Sequence, residues 1–293
     1  MKVVSGKLFD DRAAGYTGYL IDNSEEIHQG MKRPVIVVCP GGGYWFTSDR
    51  EADPIALKYL GEGFHTFVLR YSTGEGAAYP LALQELSKLI SVIRSHADEW
   101  MIDPEKIIGC GFSAGGHLAA SLGVLSEEAC ITDEIGVKKG ENKLNALVLG
   151  YPALSLIPQE VEVPPEIKAL LETGEISFGP DPVETLSGQK PTQEDKDRFN
   201  LLNYVSENVP PSFVWNTYTD ALVPFEDSIT WAIKLEQYHV PVELHVFSQG
   251  NHGLSLANEE TATKPDEIND SIAEWFPLSV KWLKYVLNVK LVH

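Results

Sequence analysis

The chain has 293 residues, and 43% of them are hydrophobic, which is enough to build a sizeable core. Its formal net charge is -19, from 42 acidic and 23 basic residues. A surface of this charge repels phosphate backbones and anionic lipids, so we expect neither a nucleic-acid partner nor a membrane partner. The length permits one large α/β domain or two small ones.

Cysteine usage and the first residues bear on the cellular compartment. The cysteines are Cys39, Cys110 and Cys130, an odd number, and two of them lie in apolar runs typical of strands. This favours a reducing compartment over a disulfide framework. Residues 1–10 lack the apolar region of a signal peptide, and no run approaches the ~20 apolar residues of a membrane span. We therefore expect a cytoplasmic protein, although a signal removed ahead of residue 1 stays open.

Short apolar runs typical of strands alternate with amphipathic runs typical of helices. About the first 30 residues are predicted to form an antiparallel hairpin at the edge of a sheet. Further strands are predicted over residues 34–39, 64–69, 106–110, 144–149, 212–215 and 242–247. Helices are predicted from a capping box at Ser48 and Glu51, from Pro80, directly after Ser113, over residues 225–238 and over residues 271–287.

This alternation predicts an α/β fold with a mostly parallel central sheet and helices on both faces. Neither an internal repeat nor a glycine-serine linker marks a second domain, so residues 1–293 are predicted to form one domain. Residues 155–200 break the rhythm because they are rich in Pro, Glu and Asp and weakly periodic. We interpret this segment as a small cap inserted over the carboxyl edge of the sheet, with a loose surface loop as the alternative.

The motif Gly-Phe-Ser-Ala-Gly at residues 111–115 is the strongest chemical signal in the sequence. It follows a predicted strand and precedes a predicted helix, which is the context of a nucleophile elbow. The serine of such a turn has a strained backbone that exposes its hydroxyl, and side chains two residues to either side would collide with the neighbouring strand or helix. Ser113 is therefore the candidate nucleophile.

A serine hydroxyl needs a general base that is itself oriented by a carboxylate. His252 lies among glycines just past the last predicted strand, and Asp220 lies just past the strand before it. Loops at the carboxyl ends of strands are where such folds gather their sites. His252 is the candidate base and Asp220 the candidate acid. Asp220 could instead cap the helix that begins near Pro224, and Asp227 is a rival acid inside that helix.

Three consecutive glycines, residues 41–43, follow the strand that ends at Cys39. Glycine leaves its N–H group unhindered and lets the backbone approach a ligand closely. The amides of Gly42 and Gly43, together with that of Ala114, are the candidate donors to the oxyanion that forms when a serine attacks a carbonyl.

Tyr44 and Trp45 follow the glycines and are the candidate substrate-binding residues, because their rings can stack on a sugar or a phenol. Packing of this loop onto the protein body is an equal alternative for both. His117, one turn after the serine, is interpreted as packing or hydrogen bonding beneath the site. No H-E-x-x-H motif or Cys/His cluster indicates a metal, so neither a metal nor a cofactor is expected.

These motifs resemble those of α/β-hydrolase-fold esterases, in which the nucleophile, the acid and the histidine occur in this order along the chain. Within that fold the chain is similar to bacterial carbohydrate-esterase-like proteins of the acetyl-xylan-esterase and feruloyl-esterase type, near the hormone-sensitive-lipase-type carboxylesterases. The matching stretches lie at residues 39–44, 103–119, 220–224 and 250–254.

The resemblance implies a catalytic triad and an oxyanion hole formed by the candidates already named. The triad would be Ser113, Asp220 and His252, and the oxyanion hole would be Gly42, Gly43 and Ala114. Many relatives have a histidine before the glycines, where this chain has Pro40. A side chain that braces the loop is therefore lost, and the resemblance leaves open which glycine amide points inward.

The implied reaction is hydrolysis of a small carboxylic ester through an acyl-enzyme intermediate, and the expected substrate is an acetyl ester of a sugar or oligosaccharide. An arylformamidase-like amidase and a small peptidase are alternatives on the same fold. A non-catalytic small-molecule receptor is an alternative from another class. The expected partner is thus a small molecule, and the oligomeric state is left open, a homo-oligomer included.

Overall fold

The computed structural model describes residues 1–156 and 180–288. Strands in this part of the chain form an 8-stranded sheet in the order β1-β2-β4-β3-β5-β6-β7-β8. Their bounds are β1 (Lys2–Lys7), β2 (Gly15–Leu20), β3 (Arg33–Cys39), β4 (His65–Arg70), β5 (Ile102–Phe112), β6 (Ala146–Gly150), β7 (Ser212–Thr217) and β8 (Val242–Phe247).

Helices of the described residues are numbered in chain order. Their bounds are α1 (Asp53–Gly61), α2 (Leu81–Ser95), α3 (Ala114–Leu125), α4 (Pro182–Ser187), α5 (Gln193–Phe199), α6 (Phe225–Gln237), α7 (Asp270–Ala273) and α8 (Trp275–Val286). No helix of these residues combines the length and hydrophobicity that crossing a bilayer requires.

The sheet is mostly parallel, as predicted. Strands β1 and β2 form an antiparallel hairpin, and β2 pairs antiparallel with β4 at that edge. All other neighbours, from β4 through β3 and β5 to β8, pair in parallel. Because parallel strands all end on one edge, the loops that follow β3, β5, β7 and β8 lie on the same side of the molecule.

Helices cover both faces of the sheet, which also confirms the predicted architecture. Strand β3 is buried along its whole length. Its alternate residues face opposite cores, since Val35 and Val37 pack with residues of α2, α3 and α6, whereas Ile36 and Val38 pack with residues of α1 and α8. A strand buried on both faces carries an uninterrupted apolar run rather than an alternating one, and this is what the sequence has here.

Two predicted helix boundaries are wrong. The Ser48 side chain makes no capping hydrogen bond, and α1 begins only at Asp53, so Ser48 and Glu51 do not form a capping box. Glu51 instead lies buried in a 3₁₀ turn. The predicted closing helix is divided into α7 and α8 because Pro277 has no N–H to donate to the preceding turn.

The segment predicted as a cap lies partly outside the described residues, which exclude 157–179. Its described remainder contains α4 and α5, which have their own caps: Asp181 accepts a hydrogen bond from Val183 N at 2.8 Å, and Thr192 begins a capping box with Asp195. Phe199 is buried in the core on the α2 and α3 side. Residues 180–200 therefore form packed helices rather than a loose loop.

Candidate active site

Ser113 occupies a strained turn between β5 and α3, with φ 51° and ψ -121°. The flanking glycines are required by close approach of the backbone. A Cβ added at Gly111 would lie 2.2 Å from the carbonyl oxygen of Gly115, and one added at Gly115 would lie 2.1 Å from that of Cys39. The predicted reason for the two glycines is thus confirmed. The amide of Ser113 donates to the carbonyl oxygen of Gly150 at 3.1 Å, which ties the turn to β6.

The structure brings the three polar candidates together. His252 Nε2 lies 2.8 Å from Ser113 Oγ, and His252 Nδ1 lies 2.7 Å from Asp220 Oδ2. A carboxylate only accepts hydrogen bonds, so Nδ1 carries the proton and donates it to Asp220. Nε2 is then free to accept from the serine hydroxyl, which is the arrangement that removes a proton from an attacking hydroxyl.

Asp220 is held by its own loop as well as by the histidine. Its side chain is only 1% exposed, and Oδ1 accepts from the amides of Leu222 at 2.9 Å and Val223 at 3.0 Å. Asp220 thus stabilises its own turn with one carboxylate oxygen and contacts His252 with the other. It does not cap α6, whose N-cap is Pro224 and which has no side-chain capping hydrogen bond, so the alternative role as a helix cap is wrong. The rival Asp227 accepts instead from the amide of Ser155 at 3.0 Å, and burial raises the pKa of its carboxyl.

The loop that carries His252 is fixed to the end of β7. Thr219 Oγ1 accepts from the amide of Gly250 at 2.8 Å, and Thr217 Oγ1 donates to the Gly250 carbonyl at 2.8 Å. Gly250 has φ 149°, and a Cβ there would lie 2.8 Å from a methyl of Thr217. Only glycine fits this position, because the two loops approach each other so closely.

In the glycine loop after β3, one amide has an acceptor and the next two have none. Gly41 donates its N–H to Glu51 Oε2 at 2.7 Å. Within residues 1–156 and 180–288, the amides of Gly42, Gly43 and Ala114 have no acceptor. The Tyr71 hydroxyl donates to the carbonyl oxygen of the preceding Pro40 at 2.7 Å. Side chains outside the loop therefore brace it in this chain, where many relatives would have a histidine.

The two aromatic candidates beside the glycines have different environments. Tyr44 is only 1% exposed, and its hydroxyl is hydrogen-bonded to His117 Nδ1 at 2.7 Å. The prediction that Tyr44 stacks on a substrate is therefore wrong, since its ring packs inside the body. Trp45 is 56% exposed, so its ring remains available to a ligand.

His117 joins the glycine loop to α5. Its Nε2 lies 2.9 Å from the carbonyl oxygen of Phe199, so Nε2–H donates there while Nδ1 accepts from the Tyr44 hydroxyl. Burial lowers the pKa of His117 to about 4, so the ring is neutral at pH 7. The predicted hydrogen-bonding role beneath the site is confirmed.

Two further residues at this site were not singled out by sequence patterns. The sequence pattern predicts only a helix-cap role for Glu51 and no role for Tyr151. In the structure the Tyr151 hydroxyl donates to Glu51 Oε1 at 2.6 Å, and the Tyr151 ring packs edge-on against His252. No sequence pattern predicts that Glu51, a charged residue after the glycine loop, is buried. No group of His, Cys, Asp and Glu in the described chain is arranged to hold a metal.

The sheet order and the serine at the turn from β5 into α3 define an α/β hydrolase. More narrowly, the BD-FAE family model matches residues 25–235, and the chain belongs to that family. The resemblance stated from the motifs is thereby confirmed.

Solved structures that are similar over nearly the whole chain include the following two. One is MGS-M1, an alpha/beta hydrolase enzyme from a Medee basin deep-sea metagenome library, at 34% identity and a TM-score of 0.76, with 99% of each chain covered. The other is the acetyl ester-xyloside bifunctional hydrolase from Caldicellulosiruptor lactoaceticus, at 28% identity and a TM-score of 0.77, with 98% of this chain and 97% of that one covered.

Curated relatives match over part of their length. Endo-1,4-beta-xylanase B of Butyrivibrio fibrisolvens is 33% identical over 233 residues, which are 78% of this chain and 34% of that protein. Acetylxylan esterase of Xylanibacter ruminicola is 26% identical over 223 residues, which are 75% of this chain and 41% of that protein. The chain therefore spans less than half the length of these two relatives.

The variant His117→Gln tests the neutral burial of this histidine. An unfolded histidine has a pKa of ~6.5, whereas the folded value is about 4. Between these values the unfolded chain binds a proton that the folded chain does not, so stability is lost as the pH falls. Urea unfolding at several pH values should show a shallower loss in the variant, by up to ~1.4 kcal/mol per pH unit.

At about pH 8 both chains are neutral at this position, so the difference measured there reports packing alone. Subtracting it isolates the proton-linked part. A difference in the free energy of unfolding that stays constant from pH 8 down to about pH 4 would contradict the assignment.

Proposed function

We propose that the chain is a serine ester hydrolase that works through an acyl-enzyme. The observation that carries this proposal is the relay of hydrogen bonds from Ser113 through His252 to Asp220, with distances of 2.8 Å and 2.7 Å. A relay of this kind beside unpaired backbone amides is what acyl transfer requires.

In the proposed reaction, His252 accepts the proton of Ser113 as the hydroxyl attacks the ester carbonyl. The oxyanion of the tetrahedral intermediate accepts hydrogen bonds from the amides of Gly42, Gly43 and Ala114. The alcohol leaves with the proton from His252, and an acyl-enzyme remains. Water then attacks this ester by the same steps in turn, which releases the acid and restores the serine.

An acetyl ester of a sugar or oligosaccharide is the proposed substrate. It is supported by the names of two similar proteins, an acetylxylan esterase and an acetyl ester-xyloside bifunctional hydrolase. The exposed ring of Trp45, directly after the glycine loop, offers a face on which a sugar ring can stack. The net charge of -19 also favours a neutral substrate over an anionic one.

Replacing the nucleophile is the first test of the reaction. Ser113→Ala should lower the turnover of p-nitrophenyl acetate by up to ~10⁶, because loss of the nucleophile in a serine hydrolase has this cost. The variant should also lose labelling by a fluorophosphonate probe, which wild type should show. Absence of labelling and turnover in wild type would instead favour a receptor on a hydrolase scaffold.

The acid is tested by a matched pair, Asp220→Asn and Asp227→Asn. Both carboxylates accept from backbone amides, but Asp220 is buried and contacts His252, whereas Asp227 is half-buried and contacts Ser155 instead. Asp220→Asn should lower kcat by ~10⁴, since an amide cannot hold the histidine in the required tautomer. Asp227→Asn should keep kcat close to wild type. The reverse order of effects would show that the acid is misassigned.

The substrate class is tested by comparing kcat/KM on acetylated xylo-oligosaccharide, p-nitrophenyl acetate and an N-formyl anilide. We expect the sugar ester to be preferred, and Trp45→Ala to remove about tenfold of that preference through loss of ring stacking. Tyr238→Ala is the control, because this exposed aromatic residue lies at the far end of α6. Equal rates on both acetates would contradict the sugar substrate, and fastest turnover of the anilide would favour an arylformamidase.

A further inference from the structure

Glu51 is a buried carboxylate that the proposed reaction does not use. It is 4% exposed, and no cationic side chain of the described residues lies within ion-pair distance of it. Its two oxygens accept from the Gly41 amide at 2.7 Å and from the Tyr151 hydroxyl at 2.6 Å. Burying a carboxylate is costly unless its oxygens are hydrogen-bonded. Each oxygen therefore accepts a hydrogen bond from a residue of the candidate site, one from the glycine loop and one from Tyr151.

Tyr151 extends this contact to the histidine loop. Its hydroxyl donates to Glu51 and accepts from the amide of Ser255 at 2.9 Å. Burial, with the carboxylate of Glu51 beside it, raises the pKa of Tyr151, so the hydroxyl keeps the proton that it donates. The Tyr151 ring contacts the His252 ring edge-on, with 4.9 Å between centroids and an interplanar angle of 67°.

These contacts form one continuous path between two parts of the site. The path begins at Gly41, directly before the two unpaired glycine amides, and ends at Ser255, three residues after His252. Ser255 is itself fixed, since its hydroxyl donates to the carbonyl of Arg50 at 2.6 Å. We call the pair Glu51 and Tyr151 the loop brace.

We propose that the loop brace consists of positioning residues, which hold the oxyanion donors and the catalytic histidine in register with each other. This inference rests on the proposed ester hydrolysis and assigns these two residues a part in it. Donors to an oxyanion act only when they are held at hydrogen-bond distance before the charge forms. A brace that fixes donors and base together therefore acts on the transition state and leaves ground-state binding unchanged.

Replacing Glu51 by glutamine breaks the pattern of donors. The side-chain NH2 of Gln can only donate. It would face either the Gly41 N–H, which is also a donor, or the Tyr151 hydroxyl, which already accepts from Ser255. Tyr151→Phe removes the hydroxyl and keeps the ring against His252. We expect each variant to lower kcat on p-nitrophenyl acetate by about tenfold to a hundredfold with KM unchanged, below the ~10² to 10³ cost of losing a donor outright.

The double variant separates a shared path from two independent defects. If Glu51 and Tyr151 act through one path, Glu51→Gln combined with Tyr151→Phe should lose about as much kcat as the worse single variant. Independent residues would instead multiply their effects.

Two matched controls report the cost of the same chemistry elsewhere. Glu85 is a buried carboxylate that accepts from the amide and the hydroxyl of Ser72 at 2.8 Å and 2.7 Å, and Tyr59 is a buried tyrosine bonded to Ser279 at 2.7 Å. Glu85→Gln and Tyr59→Phe should lower stability in urea unfolding while kcat per folded molecule stays at the wild-type value.

The outcomes are distinct. Brace variants that lose stability but keep kcat, as the controls do, would overturn the positioning role and leave the proposed function intact. If Glu51→Gln does not fold, Tyr151→Phe decides alone, because it removes only one hydroxyl. A wild-type chain without esterase activity would overturn the proposed function, and the positioning role with it.

Discussion

Ser113 has a backbone conformation, φ 51° and ψ -121°, that a residue with a side chain adopts only where its surroundings enforce it. The enforcement is visible in the contacts of the turn. The Ser113 amide is bound to the end of β6, and Gly111 and Gly115 allow β5, α3 and the end of β3 to approach within distances that a Cβ would block. The hydroxyl is thereby exposed at the carboxyl edge of the sheet, and every other part of the site is arranged around it.

Parallel strands bring the remaining groups to the same edge, but they do not by themselves align them. Alignment comes from hydrogen bonds between loops that are distant in sequence. Thr217 and Thr219, which lie just before Asp220, hold the loop that carries His252 through hydrogen bonds to Gly250. Glu51 and Tyr151 connect the glycine loop to Ser255, on the other side of His252. His252 is thus supported from two directions, which favours one geometry over the several that a free loop would sample.

The buried side chains of Asp220 and His117 are paired at this edge. Asp220 accepts three hydrogen bonds, and His117 uses both ring nitrogens. By contrast, the amides of Gly42, Gly43 and Ala114 have no acceptor within the described residues. In the proposed reaction, the acceptor for these three donors is the oxyanion that forms on the substrate. The same surroundings that make a polar group costly to leave unpaired also strengthen its interaction with a developing negative charge.

The sequence alone determined the alternation of strands and helices, the turn at Ser113, His252 as the candidate base and Asp220 with Asp227 as candidate acids, because these depend on local periodicity and on residue types with few alternative uses. Only the tertiary structure decided between Asp220 and Asp227, buried Tyr44 while leaving Trp45 exposed, and turned Glu51 from an expected helix cap into a support of the glycine loop. Local spacing specifies which backbone a segment adopts. Which partner a side chain then meets depends on the order of strands in the sheet and on loops that are 100 residues apart, as Glu51 and Tyr151 are, or further.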